Sequence, residues 1–185
     1  MLETVRRNGE HLLALVSEIL DLSKIEAGRT ETDRVPMDVR GCVRDVAESF
    51  RGQIDRKSLE LDVVIDDDIH RAVSLDPLRF RQIVVNLLGN AIKFTEKGEV
   101  GIEVSLVEET DVRVLLDVAV KDTGIGIPTG LLGKIFEPFA QAPEVNSQNY
   151  GGSGLGLPIS RSLASLMGGS LRVESRVGAG STFHL

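Results

Sequence analysis

Apolar residues recur along the chain with two different periods, and the changes of period divide it. Val5, Leu12, Leu13, Leu15, Val16, Ile19, Leu20 and Leu22 cover about half of a helical wheel, which predicts one long helix over 2–27. That stripe is wider than the seam of a two-stranded coiled coil and suits a multi-helix bundle. An ordinary core helix of a globular domain is the competing expectation. The end falls near Ala27-Gly28, where glycine supplies a left-handed cap. A polar, proline-containing stretch, Arg29 to Asp38, separates this helix from the rest.

Asp38 is suited to cap a second helix over 39–57, with Val39, Val43, Val46, Ala47, Phe50 and Ile54 on its apolar side. Leu59 to Ile65 alternates and then runs apolar, as a strand does. The loop Asp66-Asp67-Asp68 is expected to be solvated rather than a metal site. A short strand over 72–75 leads to a third helix over 76–94, whose first turn tolerates Pro77. Strands are predicted over 99–107 and 112–121, a fourth helix over 154–167, and strands over 170–175 and 180–185 joined by Gly178-Ala179-Gly180. Helices and strands mix without strict βαβ alternation, which predicts an α+β sandwich.

The third helix has a second, polar periodicity. Arg79, Gln82, Asn86, Asn90 and Lys93 lie within about 40° of one direction, opposite Ile83, Val84, Leu87, Leu88 and Ala91. A merely solvated face would carry Glu, Lys or Arg, because asparagine competes for backbone bonds and is a poor helix former. Two asparagines one turn apart with a lysine beyond them point to ligand contact. An amide oxygen suits Mg²⁺ that also keeps phosphate oxygens and waters, and Lys93 offers phosphate a point charge.

Eight of the 19 glycines fall within 122–156, so this segment must turn sharply and approach something closely. Asp122-Thr123-Gly124-Ile125-Gly126-Ile127-Pro128 directly follows a strand. A carboxylate there can accept a hydrogen bond from the exocyclic amine of adenine, whereas guanine presents a carbonyl and is repelled. Gly151-Gly152-Ser153-Gly154-Leu155-Gly156-Leu157 opens the fourth helix, and free N–H groups at a helix start favour phosphate. Taken alone, each glycine run is equally compatible with a structural turn. A dinucleotide fingerprint fails for want of the following acidic residue, and no G-K-[ST] is present for a P-loop.

Composition narrows the field. The 185 residues carry 21 basic and 28 acidic side chains, a net charge of −7, which argues against a nucleic-acid or anionic-membrane surface. A hydrophobic fraction of 42% is enough for a core. Cys42 stands alone, so no internal disulfide or cysteine-clustered zinc site exists. No run approaches the ~18 apolar residues of a membrane span, and no signal peptide is visible. A cytoplasmic location is expected of this chain, whatever anchors the parent protein.

The polar stripe ending N-L-L-G-N-A-I-K-F-T, then D-T-G-I-G-I, I-F-E-P-F, G-G-S-G-L-G-L and G-A-G-S-T-F, resembles in order the N, G1, F, G2 and G3 boxes of the ATP-binding domain of sensor histidine kinases. The resemblance implies a Bergerat (GHKL) fold: a two-layer α/β sandwich, a mixed sheet covered by helices on one face, preceded here by one long helix. Residues 35–185 resemble the catalytic ATP-binding domain. Residues 1–34, with L-D-L-S-K-I-E-A-G, resemble the second helix of the dimerisation and phosphotransfer hairpin. By the same resemblance Asn86 coordinates Mg²⁺, Asn90 and Lys93 contact phosphate oxygens, and Asn86 with Lys93 carries the transfer chemistry. Asp122 selects adenine, Gly124 and Gly126 shape the base pocket, and Phe94 and Ile127 line it. Gly152, Ser153, Gly154, Leu155 and Gly156 close over the phosphates, Phe136 and Phe139 anchor a lid over 129–151, and Thr182 supports the adenine end.

Related ATP hydrolases of the DNA gyrase and Hsp90 types carry a water-activating Glu where this chain has Asn86, so ATP is expected to be held without hydrolysis. The implied function is transfer of the ATP γ-phosphate to a histidine on a partner segment. A response-regulator receiver then takes the phosphate, and the parent is a homodimer. The acceptor itself is missing: His11, His70 and His184 lack the H-[ED]-x-x-x-P context, so this chain is not expected to phosphorylate itself alone. The lid also departs from the family, with no Lys or Arg in 135–150. That departure supports an alternative, a weak pseudokinase serving as a nucleotide-binding interaction module.

Overall fold

The computed structural model describes residues 32–69, 72–140 and 153–185, together with residues 9, 12, 13, 16, 19, 20, 23 and 27. Of the helix expected over 2–27, residues 9, 12, 13, 16, 19, 20 and 23 are helical, and Leu12, Leu13, Val16, Ile19 and Leu20 are exposed. Along the chain follow β1 (Val35–Met37), α1 (Val39–Ser49), α2 (Arg51–Lys57), β2 (Glu60–Ile65), β3 (Val73–Leu75) and α3 (Pro77–Phe94). Then come β4 (Glu99–Thr110), β5 (Arg113–Asp122), two 3₁₀ turns (Thr129–Leu131 and Lys134–Phe136), α4 (Gly156–Leu166), β6 (Arg172–Arg176) and β7 (Gly180–His184).

Five strands form a mixed sheet in the order β2-β4-β5-β7-β6; β2 and β4 run parallel and the other pairs antiparallel. Strand alternation decides the two faces. Val100, Ile102, Val104, Val118, Val120 and Phe183 are buried beneath the helices. The opposite face is polar, with Glu103 paired to Lys121 and with Asp117 bonded to Arg172 (3.1 Å) and to His184 Nδ1 (2.8 Å). Against the apolar face lie α1, α3 and α4, whose Val43, Val46, Ile83, Leu87, Leu88 and Leu163 are fully buried. The architecture is the two-layer α/β sandwich expected.

Two local features differ from expectation. The helix predicted over 39–57 is broken at Phe50 into α1 and α2. Ser49 Oγ donates to the Val46 carbonyl (2.6 Å), competing with the helix ladder, and Gly52 weakens the next turn. The polar stretch before Asp38 contains a strand, β1, paired antiparallel with β3. Three residues are too few for alternation to show.

Both ends of α3 are anchored. Asp76, 5% exposed, accepts the Arg79 N–H at 3.0 Å as N-cap and the Asp33 N–H at 3.1 Å through its other oxygen. At the far end Lys57 Nζ donates to the carbonyls of Ile92 (2.6 Å), Thr95 (3.0 Å) and Lys93 (3.2 Å), a cation at the negative end of the helix dipole. Asp76→Ala is expected to lower stability by about 1–2 kcal/mol. Urea unfolding followed by circular dichroism would show a lower midpoint at unchanged slope, and an unmoved midpoint would refute the capping role.

Candidate active site

The polar stripe of α3 faces the start of α4. Asn86 Nδ2 donates to Ser160 Oγ at 2.8 Å, while Asn86 Oδ1 lies over the Cα of Gly156, where a Cβ would stand only 2.3 Å from it. Gly156 is therefore a packing requirement: any side chain there would displace the amide. Among the described residues the N-cap residue of α4, Leu155, makes no side-chain cap bond, and a helix start leaves backbone N–H groups without partners inside the helix. Asn90 and Lys93 continue the stripe and are half-buried. Burial pushes the Lys93 ammonium below its ordinary pKa, and its Nζ sits 4.7 Å from the centre of the Phe94 ring.

Asp122 ends β5 on the buried side of the sheet. Burial pushes its carboxyl above the ordinary aspartate range, against hydrogen bonds from the Gly124 N–H, the Ser181 N–H and the Ser181 hydroxyl. The Gly124 N–H reaches Oδ1 at 2.8 Å. A Cβ on Gly124 would lie 2.8 Å from that oxygen and 2.4 Å from the Phe94 carbonyl, so only glycine lets the loop close onto the end of α3. The Ile125 N–H also points at the Phe94 carbonyl, at 3.4 Å. Ile127 is half-buried against the core and its N–H donates to Ser175 Oγ at 2.7 Å. Ser175 Oγ lies 3.0 Å from Ser181 Oγ, so one hydroxyl pair links the Asp122 carboxylate to the loop backbone.

Three of the expected site residues are placed as follows. Thr182 pairs across the sheet with Lys121 and Glu174, on the face away from Asp122. Ser181, 8% exposed and in register with Asp122, supports the carboxylate. The parity of the strand shows this: Phe183 points into the core, so Ser181 does too. Gly126, with φ +70°, comes close to the backbone of Arg176, whose carbonyl oxygen would stand 2.1 Å from an added Cβ. Phe139 is 64% exposed with φ +63°, and holds by its N–H donating to the Gly154 carbonyl (3.1 Å) rather than by its ring. Phe136 does pack against the core, with Arg161 5.1 Å over its ring.

Of the glycine-rich run, Ser153 Oγ accepts the Leu155 N–H at 3.1 Å and Leu155 is fully buried. Gly152, residues 141–151 of the expected lid, His11 and His70 lie outside the described residues. Among the described residues no group of three or more His, Cys, Asp or Glu could hold a metal ion, and no helix is long and apolar enough to cross a membrane. A cation here would need an amide oxygen plus ligands brought by a phosphate and water. Asn86 Oδ1 fits that requirement.

Residues 75–185 match the family described as histidine kinase-, DNA gyrase B- and HSP90-like ATPase. The chain belongs to this ATPase family. Over 182 residues, 98% of the chain, it is 40% identical to the signal transduction histidine-protein kinase BarA of Escherichia coli K12 and 41% identical to the sensor protein GacS of Pseudomonas syringae. It spans about a fifth of the length of each, 20%. Among solved structures it superposes on full-length ShkA in complex with AMPPNP with a TM-score of 0.85 at 33% identity, over 98% of this chain and 36% of that one. As an ATPase-family domain homologous to sensor histidine kinases, it has the mixed sheet of their catalytic domains, and nucleotide binding is the family's chemistry.

Ser160, Ser175, Ser181 and Lys57 were not singled out by sequence. The first lies one helical turn from Gly156 and the third shares parity with Phe183, so both carried a signal; Ser175 and Lys57 carried none. Ser181→Ala is expected to raise the Asp122 pKa further, since it removes the hydroxyl that favours the ionised form while keeping the backbone N–H, whereas Thr182→Ala leaves it in place. Carbon-detected NMR titration of the Asp122 carboxyl decides; equal effects of the two substitutions would refute this role of Ser181.

Proposed function

We propose that this chain is the ATP-binding catalytic portion of a two-component sensor histidine kinase, delivering the γ-phosphate of Mg²⁺·ATP to a histidine on a separate helix. The observation that carries the proposal is that one helix, α3, brings two different recognition groups into its surroundings. A half-buried carboxylate, Asp122, lies beside the end of α3 through the Gly124 loop, and a neutral amide, Asn86, lies against the start of α4. ShkA was solved with AMPPNP, a relative of this chain that supports a triphosphate ligand.

In this reading Asp122 accepts from the adenine amine, with Gly124 and Ile127 shaping the wall and Phe94 closing the end of α3. Asn86 Oδ1 contributes one ligand to Mg²⁺, which neutralises phosphate charge when bound. Asn90 and Lys93 contact phosphate oxygens, and Ser153 to Gly156 line the phosphate end. An amide cannot take a proton from water near neutral pH, so Asn86 supports transfer by positioning rather than hydrolysis. Residues 35–185 form the catalytic domain, and residues 1–34 the second helix of a dimerisation hairpin. The exposed Leu12, Leu13, Val16, Ile19 and Leu20 suit that role. The parent is a cytoplasmically signalling homodimer whose receiver partner takes the phosphate. The named kinases among its relatives do not favour the pseudokinase alternative.

Labelled ATP supplied with a separate acceptor hairpin is expected to label the hairpin, and Asn86→Asp is expected to abolish labelling in a folded protein. Intact nucleotide binding without transfer would defeat the kinase reading. Asp122→Asn is expected to weaken ATP binding roughly ten- to hundred-fold, the span of a hydrogen bond to a charged group. Native affinity should also fall on acidification, because protonation removes the acceptor. With the Asp122 pKa raised, that fall begins above the pH of an ordinary aspartate and is absent from the variant. Calorimetry across pH checks both.

A further inference from the structure

An asparagine can offer a metal only its oxygen, yet its two ends have nearly the same shape. Something must tell them apart. In this structure the candidate is Ser160, which the nucleotide site as described does not otherwise use. Ser160 is 2% exposed, on the core side of α4 beside Ile159, Leu163 and Ala164. Alanine would suit a buried helical position better, since an unbonded hydroxyl there is penalised. The hydroxyl is bonded: its Oγ accepts Asn86 Nδ2 at 2.8 Å, across 74 residues of chain. One turn earlier on the same helix face, Gly156 leaves room for Oδ1 and nothing larger.

We propose that Ser160 is a positioning residue for the nucleotide site: by accepting from Nδ2 it turns the Asn86 oxygen toward the Mg²⁺-bound phosphates. Gly156 and Ser160 act as a pair, one clearing space for the oxygen and the other holding the nitrogen. The orientation is set before nucleotide arrives, so metal binding need not order the side chain. This inference rests on Asn86 being the metal ligand.

The test measures AMPPNP affinity by calorimetry with Mg²⁺ and with EDTA, and takes the ratio as the magnesium gain. It compares the native chain, Ser160→Ala, Ser160→Cys and Asn86→Ala. Cysteine keeps the volume of serine with a weak acceptor, so it serves if alanine perturbs the fold. Ser160→Ala and Ser160→Cys are expected to lose roughly three- to ten-fold of the magnesium gain, the span of one neutral hydrogen bond, with EDTA affinity and melting temperature unchanged. An equal loss with and without Mg²⁺ would mean that Ser160 only packs α4, and no loss would mean that it does nothing for the amide; either overturns the proposal. If Asn86→Ala loses the gain while both Ser160 variants keep it, positioning alone is wrong. If Asn86→Ala keeps the gain, the metal-ligand reading is wrong and this inference falls with it.

Discussion

The crossing of α3 over the start of α4 is the contact on which the site depends. It is close because Gly156 has no side chain, and it is specific because Asn86 meets Ser160 there. One helix, α3, therefore does two things along opposite sides. Ile83, Val84, Leu87 and Leu88 are fully buried against the sheet and the other helices, while Asn86, Asn90 and Lys93 stay half-buried on the cleft. The two sides depend on each other, since burial of the apolar side is what presents the polar stripe.

The surroundings of Asp122 follow a different logic. Asp122 is a carboxylate in an environment that disfavours its charge, and hydrogen bonds from Gly124 and Ser181 offset part of that penalty. An acceptor kept partly dry is a stronger discriminator of a base edge than one in water, because water competes poorly there. Gly124 keeps the approach open, and the Ser175–Ser181 hydroxyl pair ties the carboxylate to the backbone at Ile127. The carboxylate and the shape of the loop are thus one hydrogen-bonded unit.

Membership of the ATPase family and homology to sensor histidine kinases agree with this construction. The ends of α3 show how the site is braced from outside. Asp76 ties its start to the backbone at Asp33, and Lys57 gathers three carbonyls at its finish. The segment before β1 therefore touches the element that carries Asn86, Asn90 and Lys93.

By itself the sequence determined the alternating strands, the two-sided α3, the order of the glycine runs and the identity of the acidic residue ending β5. These are local or periodic features, visible because periods of 2 and 3.6 residues repeat along the chain. Its errors lay where spacing is silent, at the break at Phe50 and the three-residue β1, and it did not single out Ser181, which stands in register with Asp122. Only the tertiary structure decided which residues meet across distance. Asn86 with Ser160, Gly126 with Arg176, and Lys57 with the end of α3 are joined by packing of separate elements. No periodicity within one segment records what another segment brings against it.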